Sequence, residues 1–292
     1  MLGEIRGEVR FKEPLSFHTS LRIGGAADIF VVPQDVEDIR HALIFADREQ
    51  LPLAVLGGGN NVLVRDRGVR GVVLKLEGCL GRVEFQGEEA IAGAGVGLSA
   101  LIREAAALNL GGLEPLVGIP ATLGGALAMN AGSPDGSIGQ VVAAIYFLYP
   151  DGSLGEFKPT AGAFTQHPFH APPGAVLIGG RLQLQRRPQA EILREVRQRL
   201  KQKKSTQPLA LASAGCVWKN PPNDTAARLI EKSGLKGKRL NGAEISAKHP
   251  NFIVNRGGAG AADVLSLLEV TRERVRANFG ITLDPEIRIV GE

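Results

Sequence analysis

The chain has 292 residues, is 44% hydrophobic, and carries a formal net charge of +4. That length suits two or three subdomains rather than one minimal core, and no apolar run approaches the roughly 20 residues needed to cross a bilayer. Its two cysteines, Cys79 and Cys216, are too few for a disulfide framework, so a reducing compartment, the cytoplasm, is expected.

The opening stretch from Met1 to Glu8 is charged and mixed and does not read as a signal peptide. Val36, Ile39 and Leu43 then recur at helical spacing. Leu53 to Leu56 is a short apolar strand running into Gly57, Gly58, Gly59, Asn60 and Asn61. Val69 to Leu76, rich in β-branched and apolar residues, predicts the next strand. Leu98, Leu101, Ile102, Ala105 and Leu108 mark a second helix, closed by Gly111 and Gly112. A second glycine-rich loop follows between Gly118 and Gly132.

Strand-like Leu182 to Leu184 gives way near Arg186–Pro188 to a basic helix in which Ile192, Leu193, Val196 and Leu200 are the apolar positions. Arginines and lysines lie between them, as on a solvated face. No aromatic residues are interleaved to stack bases, so no nucleic-acid partner is expected. Asp224 is expected to cap a helix through Ile230 that stops at Gly234. Asp263 is expected to cap a longer one carrying Val264, Leu267, Leu268, Thr271 and Val275, ended by Gly280. Helices and strands mixed in this way predict an α+β chain.

Three stretches carry chemistry. The loop from Gly57 to Asn61 follows a strand, and successive N–H groups of such a loop can hold an anion. It is no Walker A loop, since no Gly-Lys-Ser/Thr follows, and no dinucleotide fingerprint, since Val62 stands where the third glycine belongs. In the second loop Gly118, Ile119 and Pro120 form a stiff entry. Thr122, Gly124, Gly125, Asn130 and Gly132 then combine close backbone approach with an amide that donates and accepts. A plain turn would explain either loop equally well. The third stretch, Ser213 to Pro221, holds Ala214 and Gly215, then Cys216, Lys219 and Asn220. By residue chemistry alone it is either a reactive site or a glycine turn with a buried cysteine.

Taken in order, Thr19–Gly25, Gly57–Asn61, Gly118–Gly132, Ser213–Pro221, Ala227–Gly237, Lys248–Asn255 and Leu283–Gly291 resemble the UDP-N-acetylenolpyruvoylglucosamine reductases. The resemblance runs from about residue 15 to the C-terminus. It implies a two-subdomain flavin fold of the vanillyl-alcohol-oxidase type (residues 1–72 and 73–187) and a C-terminal α+β substrate domain (residues 188–292). It implies that Gly57, Gly58, Gly59, Asn60 and Asn61 hold the FAD pyrophosphate. Gly118, Ile119, Pro120, Thr122, Gly124, Gly125, Asn130 and Gly132 would lie along the isoalloxazine ring. Related oxidases tether FAD through a histidine after the Gly-Gly pair; Ala26 stands there, so non-covalent FAD is expected.

The implied reaction uses NADPH to reduce the enolpyruvyl group of UDP-N-acetylglucosamine-enolpyruvate, giving UDP-N-acetylmuramate for peptidoglycan synthesis. By the same resemblance Cys216 replaces the proton-donating serine of most members, Glu286 is the catalytic glutamate, and Lys219 and Asn220 meet the sugar nucleotide. His167 stands where the family's catalytic arginine is expected, and a tyrosine-bearing substrate loop is missing between Leu184 and Ser213. No metal, membrane or obligate protein partner is expected. An FAD-dependent sugar or alcohol oxidase of the same fold is the alternative.

Overall fold

A computed structural model describes residues 2–76, 78–159 and 171–292; His167 lies outside them. The chain packs as two compact units. One comprises Met1–Arg10, Ile29–Gly58 and Gly71–Lys203, the other Phe11–Asp28, Gly59–Arg70 and Lys204–Glu292. The first glycine loop therefore contributes Gly57 and Gly58 to one unit and the residues from Gly59 to the other.

In the first unit, helix α1 (Val36–Arg48) begins where the Asp35 carboxylate accepts from the amides of Glu37 and Asp38. Its buried Ile39, Ala42, Leu43 and Ala46 follow the helical period. Helix α2 (Leu98–Ala107) buries Leu98, Leu101, Ile102 and Ala105. It stops sooner than expected. Asn109 turns left-handed at φ 60°, and Gly111 is occupied in a short antiparallel ladder with Gln185.

Helix α3 (Leu123–Met129) is capped by Thr122, and α4 (Gln189–Thr206) is the expected basic helix. Only Ile192 of α4 is fully buried, while Val196 and Leu200 pack at the margin of the core. An antiparallel sheet runs in the order Leu154–Phe157, Val142–Leu148, Val176–Gln183, Glu89–Gly93, Val83–Gln86. Leu53–Leu56 pairs in parallel with Val72–Lys75. That pairing directs the first glycine loop off the end of a sheet strand.

The second unit holds an antiparallel sheet in the order Ala212–Cys216, Phe252–Asn255, Ala243–Ile245, Arg239–Leu240. Val62–Val64 pairs in parallel with Arg288–Val290. Its core gathers Leu21, Leu63, Trp218, Ile253, Leu267 and Ile287 from widely separated stretches.

Both caps expected here are corrected. Helix α5 (Ala226–Lys232) is capped by Thr225, whose hydroxyl accepts from Arg228 N. Asp224 instead forms an ion pair with the Arg228 side chain. Helix α6 (Ala261–Phe279) starts after Gly260, with Asp263 inside its first turn returning a carboxylate oxygen to Gly260 N at 2.9 Å. Its leading amides, Ala261 and Ala262, donate to Asp66 at 2.7 and 3.0 Å. Gly280 ends the helix at φ 70°, as expected. No helix among the described residues is long and apolar enough to cross a membrane.

Candidate active site

The first glycine loop is held by its carbonyls. Lys75, 8% exposed, donates from Nζ to Gly57 O at 2.7 Å. In the second unit Ser20 donates to Gly59 O through its amide at 3.0 Å and its hydroxyl at 3.3 Å. A trans peptide points its N–H opposite its C=O. The bonds from Lys75 and Ser20 therefore turn the following amides, those of Gly58 and Asn60, away from their supports. Among the described residues, none accepts a hydrogen bond from the amides of Gly57, Gly58, Gly59 or Asn60. Open consecutive donors of this kind suit an anion such as a pyrophosphate.

The second loop behaves differently. Its leading amides are spent inside the unit, Leu123 N on Val96 O at 2.7 Å, Gly124 N on Ala94 O at 2.9 Å, and Gly125 N on Thr122 Oγ1 at 3.3 Å. Several residues expected to serve a cofactor have work in the fold. A Cβ on Gly124 would lie 2.9 Å from that of Ala94, and one on Gly57 only 2.7 Å from Thr122 Oγ1. Asn130 takes a left-handed turn at φ 46° and accepts from Gly139 N at 3.1 Å. Gly132 has no room for a Cβ beside Gly136 and Ser137, and Gly118 backs onto Lys203 and Leu200. Gly125 is the exception. A Cβ there meets nothing nearer than Thr122 Oγ1 at 3.6 Å, so the protein's own packing does not demand glycine at that position.

In the second unit, Ala212–Cys216 pairs with Phe252–Asn255 through an irregular step between Ser213 and Cys216. One extra residue is accommodated where Gly215 adopts φ 77°. Cys216 is half-buried on the strand end. Beyond it Val217 O accepts from Glu286 N, and Lys219 N donates to Asp284 O, both at 2.9 Å. These bonds bring the Cys216 and Glu286 stretches alongside each other across 70 positions of sequence. Lys219 and Asn220 are exposed.

The Glu286 side chain is open to solvent on one side. Crowding of protein atoms around it desolvates the carboxyl and raises its pKa, with the positive charge of Lys219 pulling the other way. Asn220 turns its Oδ1 to Ala226 N at 3.0 Å, on the first turn of α5. The Asn61 amide is likewise committed, donating from Nδ2 to Glu286 O at 3.1 Å.

Four residues that hold these stretches were not expected from the sequence. Lys75 had a visible signal, a charge set between Leu74 and Leu76 in an apolar run. Ser20 donates to Ser213 O at 2.7 Å as well as to Gly59 O. Asn251 and Asp284 grip the backbone between Val217 and Lys219. Ser20, Asn251 and Asp284 lie inside stretches noted for their motifs, but nothing local says which neighbours they find.

Residues 27–158 match the family model described as FAD binding domain, and residues 207–290 match UDP-N-acetylenolpyruvoylglucosamine reductase, C-terminal domain. The chain is 42% identical over 287 residues to UDP-N-acetylenolpyruvoylglucosamine reductase 2 of Symbiobacterium thermophilum, covering 98% of this chain and 93% of the relative. It is 44% identical over 290 residues to the reductase of an Anaeromyxobacter species, covering 99% and 90%. The crystal structure of the Thermus caldophilus reductase aligns with a TM-score of 0.83 at 36% identity, covering 98% of this chain and all (100%) of that one. The expected α+β architecture with an FAD-binding domain holds.

Proposed function

The chain belongs to the UDP-N-acetylenolpyruvoylglucosamine reductase family, and on that premise we propose the residues and the hydride donor with which it works. It is an FAD-dependent oxidoreductase that reduces the enolpyruvyl group of UDP-N-acetylglucosamine-enolpyruvate to the lactyl ether of UDP-N-acetylmuramate. NADPH is the proposed hydride donor and the sugar nucleotide the proposed second substrate. Residues 1–72 and 73–187 are assigned to the flavin and 188–292 to the sugar nucleotide.

The residues present fit FAD. The open amides of Gly57 and Gly58, with Lys75 bound to the Gly57 carbonyl, suit a pyrophosphate, and the open amides of Gly59 and Asn60 are assigned to the same group. Gly125, where the protein's own packing would leave a Cβ unhindered, is assigned to the flat ring. Ala26 offers no atom for a covalent tether. FAD, when bound, would supply the hydride chemistry between the nicotinamide and the terminal carbon of the enol ether.

Saturating that double bond leaves negative charge delocalised toward the substrate carboxylate, which must be stabilised and then quenched by a positioned acid. Cys216 is assigned the proton. A thiol, with an ordinary pKa near 8.5, gives one up more readily than an alcohol. Glu286 is assigned to the developing enolate. Desolvation raises its pKa, which eases protonation of the group assigned to face that charge. Lys219 adds a fixed positive charge beside it, and Lys219 and Asn220 are assigned to the sugar nucleotide.

The observation that carries this reading is the pair of backbone bonds joining Val217 and Lys219 to residues 284–286. Without them the thiol and the carboxyl have no reason to share a substrate. Anaerobic stopped-flow measurement tests the reading in two parts. NADPH should bleach the bound flavin, and the enolpyruvyl sugar nucleotide should restore its colour. Recovery of colour with oxygen but not with the sugar nucleotide would transfer the chain to the oxidases.

A further inference from the structure

The segment that joins Cys216 to Lys219 has lost its strand partner. The ladder with Phe252–Asn255 ends at the Cys216–Phe252 pair, and Val217 and Trp218 continue beyond it, both buried. Asn251 takes the place of the missing strand. Its main-chain oxygen accepts from Val217 N at 2.9 Å, its Oδ1 accepts from Trp218 N at 2.9 Å, and its Nδ2 donates to Trp218 O at 2.8 Å. A carboxamide presents one donor and one acceptor side by side, as a peptide group does, so a single side chain satisfies both backbone groups of Trp218.

Asn251 is itself fixed. It is 3% exposed and sits in a turn closed by Ser246, whose hydroxyl accepts from Lys248 N at 3.1 Å and His249 N at 3.3 Å. Ser246 N in turn donates to Phe252 O at 2.8 Å. On the opposite edge, Glu286 N and Asp284 O hold Val217 and Lys219. The segment is clamped from both sides, and the clamp follows directly after a bulge, where register is otherwise weakly specified.

We propose that Asn251 is a positioning residue that sets the register of Cys216 and Lys219 against Glu286 by gripping both backbone groups of Trp218. This rests on the roles assigned above to Cys216 and Glu286. Asn251 itself touches no reacting atom in this scheme. Losing it lets the bulged segment slip and misplaces the proton donor, while leaving the flavin loops unaffected.

The test compares wild type, Asn251→Ala, Cys216→Ala and the double variant, each as flavin-loaded protein. Asn251→Ala should be bleached by NADPH within about twofold of wild type, yet be reoxidised by the enolpyruvyl sugar nucleotide ~10- to 100-fold more slowly, the scale of a small misplacement. Because Asn251 acts through Cys216, adding Asn251→Ala to Cys216→Ala should cost little more. Wild-type reoxidation in Asn251→Ala, or fully multiplicative losses in the double variant, overturns the proposal.

A second readout does not depend on the reaction. Iodoacetamide labelling of Cys216, followed by peptide mass, should change rate several-fold in Asn251→Ala, while buried Cys79 serves as the internal reference. If wild type itself is not reoxidised by the sugar nucleotide, the functional reading has failed, and labelling alone judges the clamp: an unchanged rate sinks it. Should Asn251→Ala not fold, Asn251→Asp keeps the acceptor for Trp218 N and the side-chain volume while losing the donor to Trp218 O. It should then show the same selective loss, and wild-type behaviour in it would equally overturn the proposal. The chain's one tryptophan is Trp218, so its emission wavelength reports directly whether each variant retains the buried segment.

Discussion

Replacing Cys216 separates the two half-reactions. Reducing the flavin needs no protein acid, whereas saturating the enol ether does. Cys216→Ala should keep near-normal anaerobic bleaching by NADPH and lose reoxidation by the sugar nucleotide by about 10²-fold or more. Cys216→Ser should recover much of that loss, because a hydroxyl on the same strand end can hold the same proton. Stopped-flow traces read both steps, and a Cys216→Ala protein that reoxidises at the wild-type rate would make the thiol structural. Glu286 gives a prediction in pH. Its carboxyl is raised above the ordinary value near 4.3 because desolvation outweighs the attraction of Lys219. The folded protein thus binds a proton that the unfolded chain has released, and stability falls as pH rises through the raised pKa. Glu286→Gln removes that penalty, so its thermal midpoint should exceed wild type by more at pH 7 than at pH 4. An advantage that is equal at both values would refute the desolvated carboxyl.

At the scale of loops and helices, the glycines divide into two kinds. Gly124 is required by Ala94, and its replacement by valine should lower stability before it touches the flavin. Gly125 has room inside the protein alone, so Gly125→Val should leave the apoprotein melting near wild type while weakening FAD binding in fluorescence titration. Gly58→Val should likewise weaken FAD binding, by setting a side chain beside the open amides. If either titrates like wild type, the loop has been assigned to the wrong ligand. The start of α6 offers a test free of the cofactor. Asp66 accepts from Ala261 N and Ala262 N, two amides that have no partner within the helix. Asp66→Ala should cost about 1 kcal/mol by chemical denaturation, the usual worth of a lost cap. The cap comes from 195 residues away, which is why Asp263, in the right place by sequence, was expected to do it.

For the molecule as a whole, FAD should stabilise the native state by mass action. The midpoint of the apoprotein should rise with added FAD, by the equivalent of about 2.7 kcal/mol at a hundredfold excess over Kd; a midpoint indifferent to FAD would deny the binding site. The elements followed from local pattern. The helical spacing of Val36, Ile39 and Leu43 needs no tertiary context to declare a helix, and the apolar run from Leu53 to Leu56 likewise declares a strand. Motifs in order along the chain sufficed for the family, because each is contiguous and its residues are set by the chemistry they perform. Partner choice was not legible. Ser20 meets Ser213 across 193 positions, Asn61 meets Glu286 across 225, and Asn251 meets Trp218 across 33. An amide or hydroxyl satisfies itself equally well with any polar group the fold brings within about 3 Å. The sequence by itself therefore determined most of the helices and strands and which family they compose, but not helix α3, which occupies Leu123–Met129 in the middle of the stretch expected to be a glycine loop. Only the packed chain decided that Asn61 and Asn220 turn their side chains to the backbone, that Asp66 caps α6, and that Asn251 stands in for a missing strand. The reason is that hydrogen bonds are chosen by proximity in space, which local pattern does not encode.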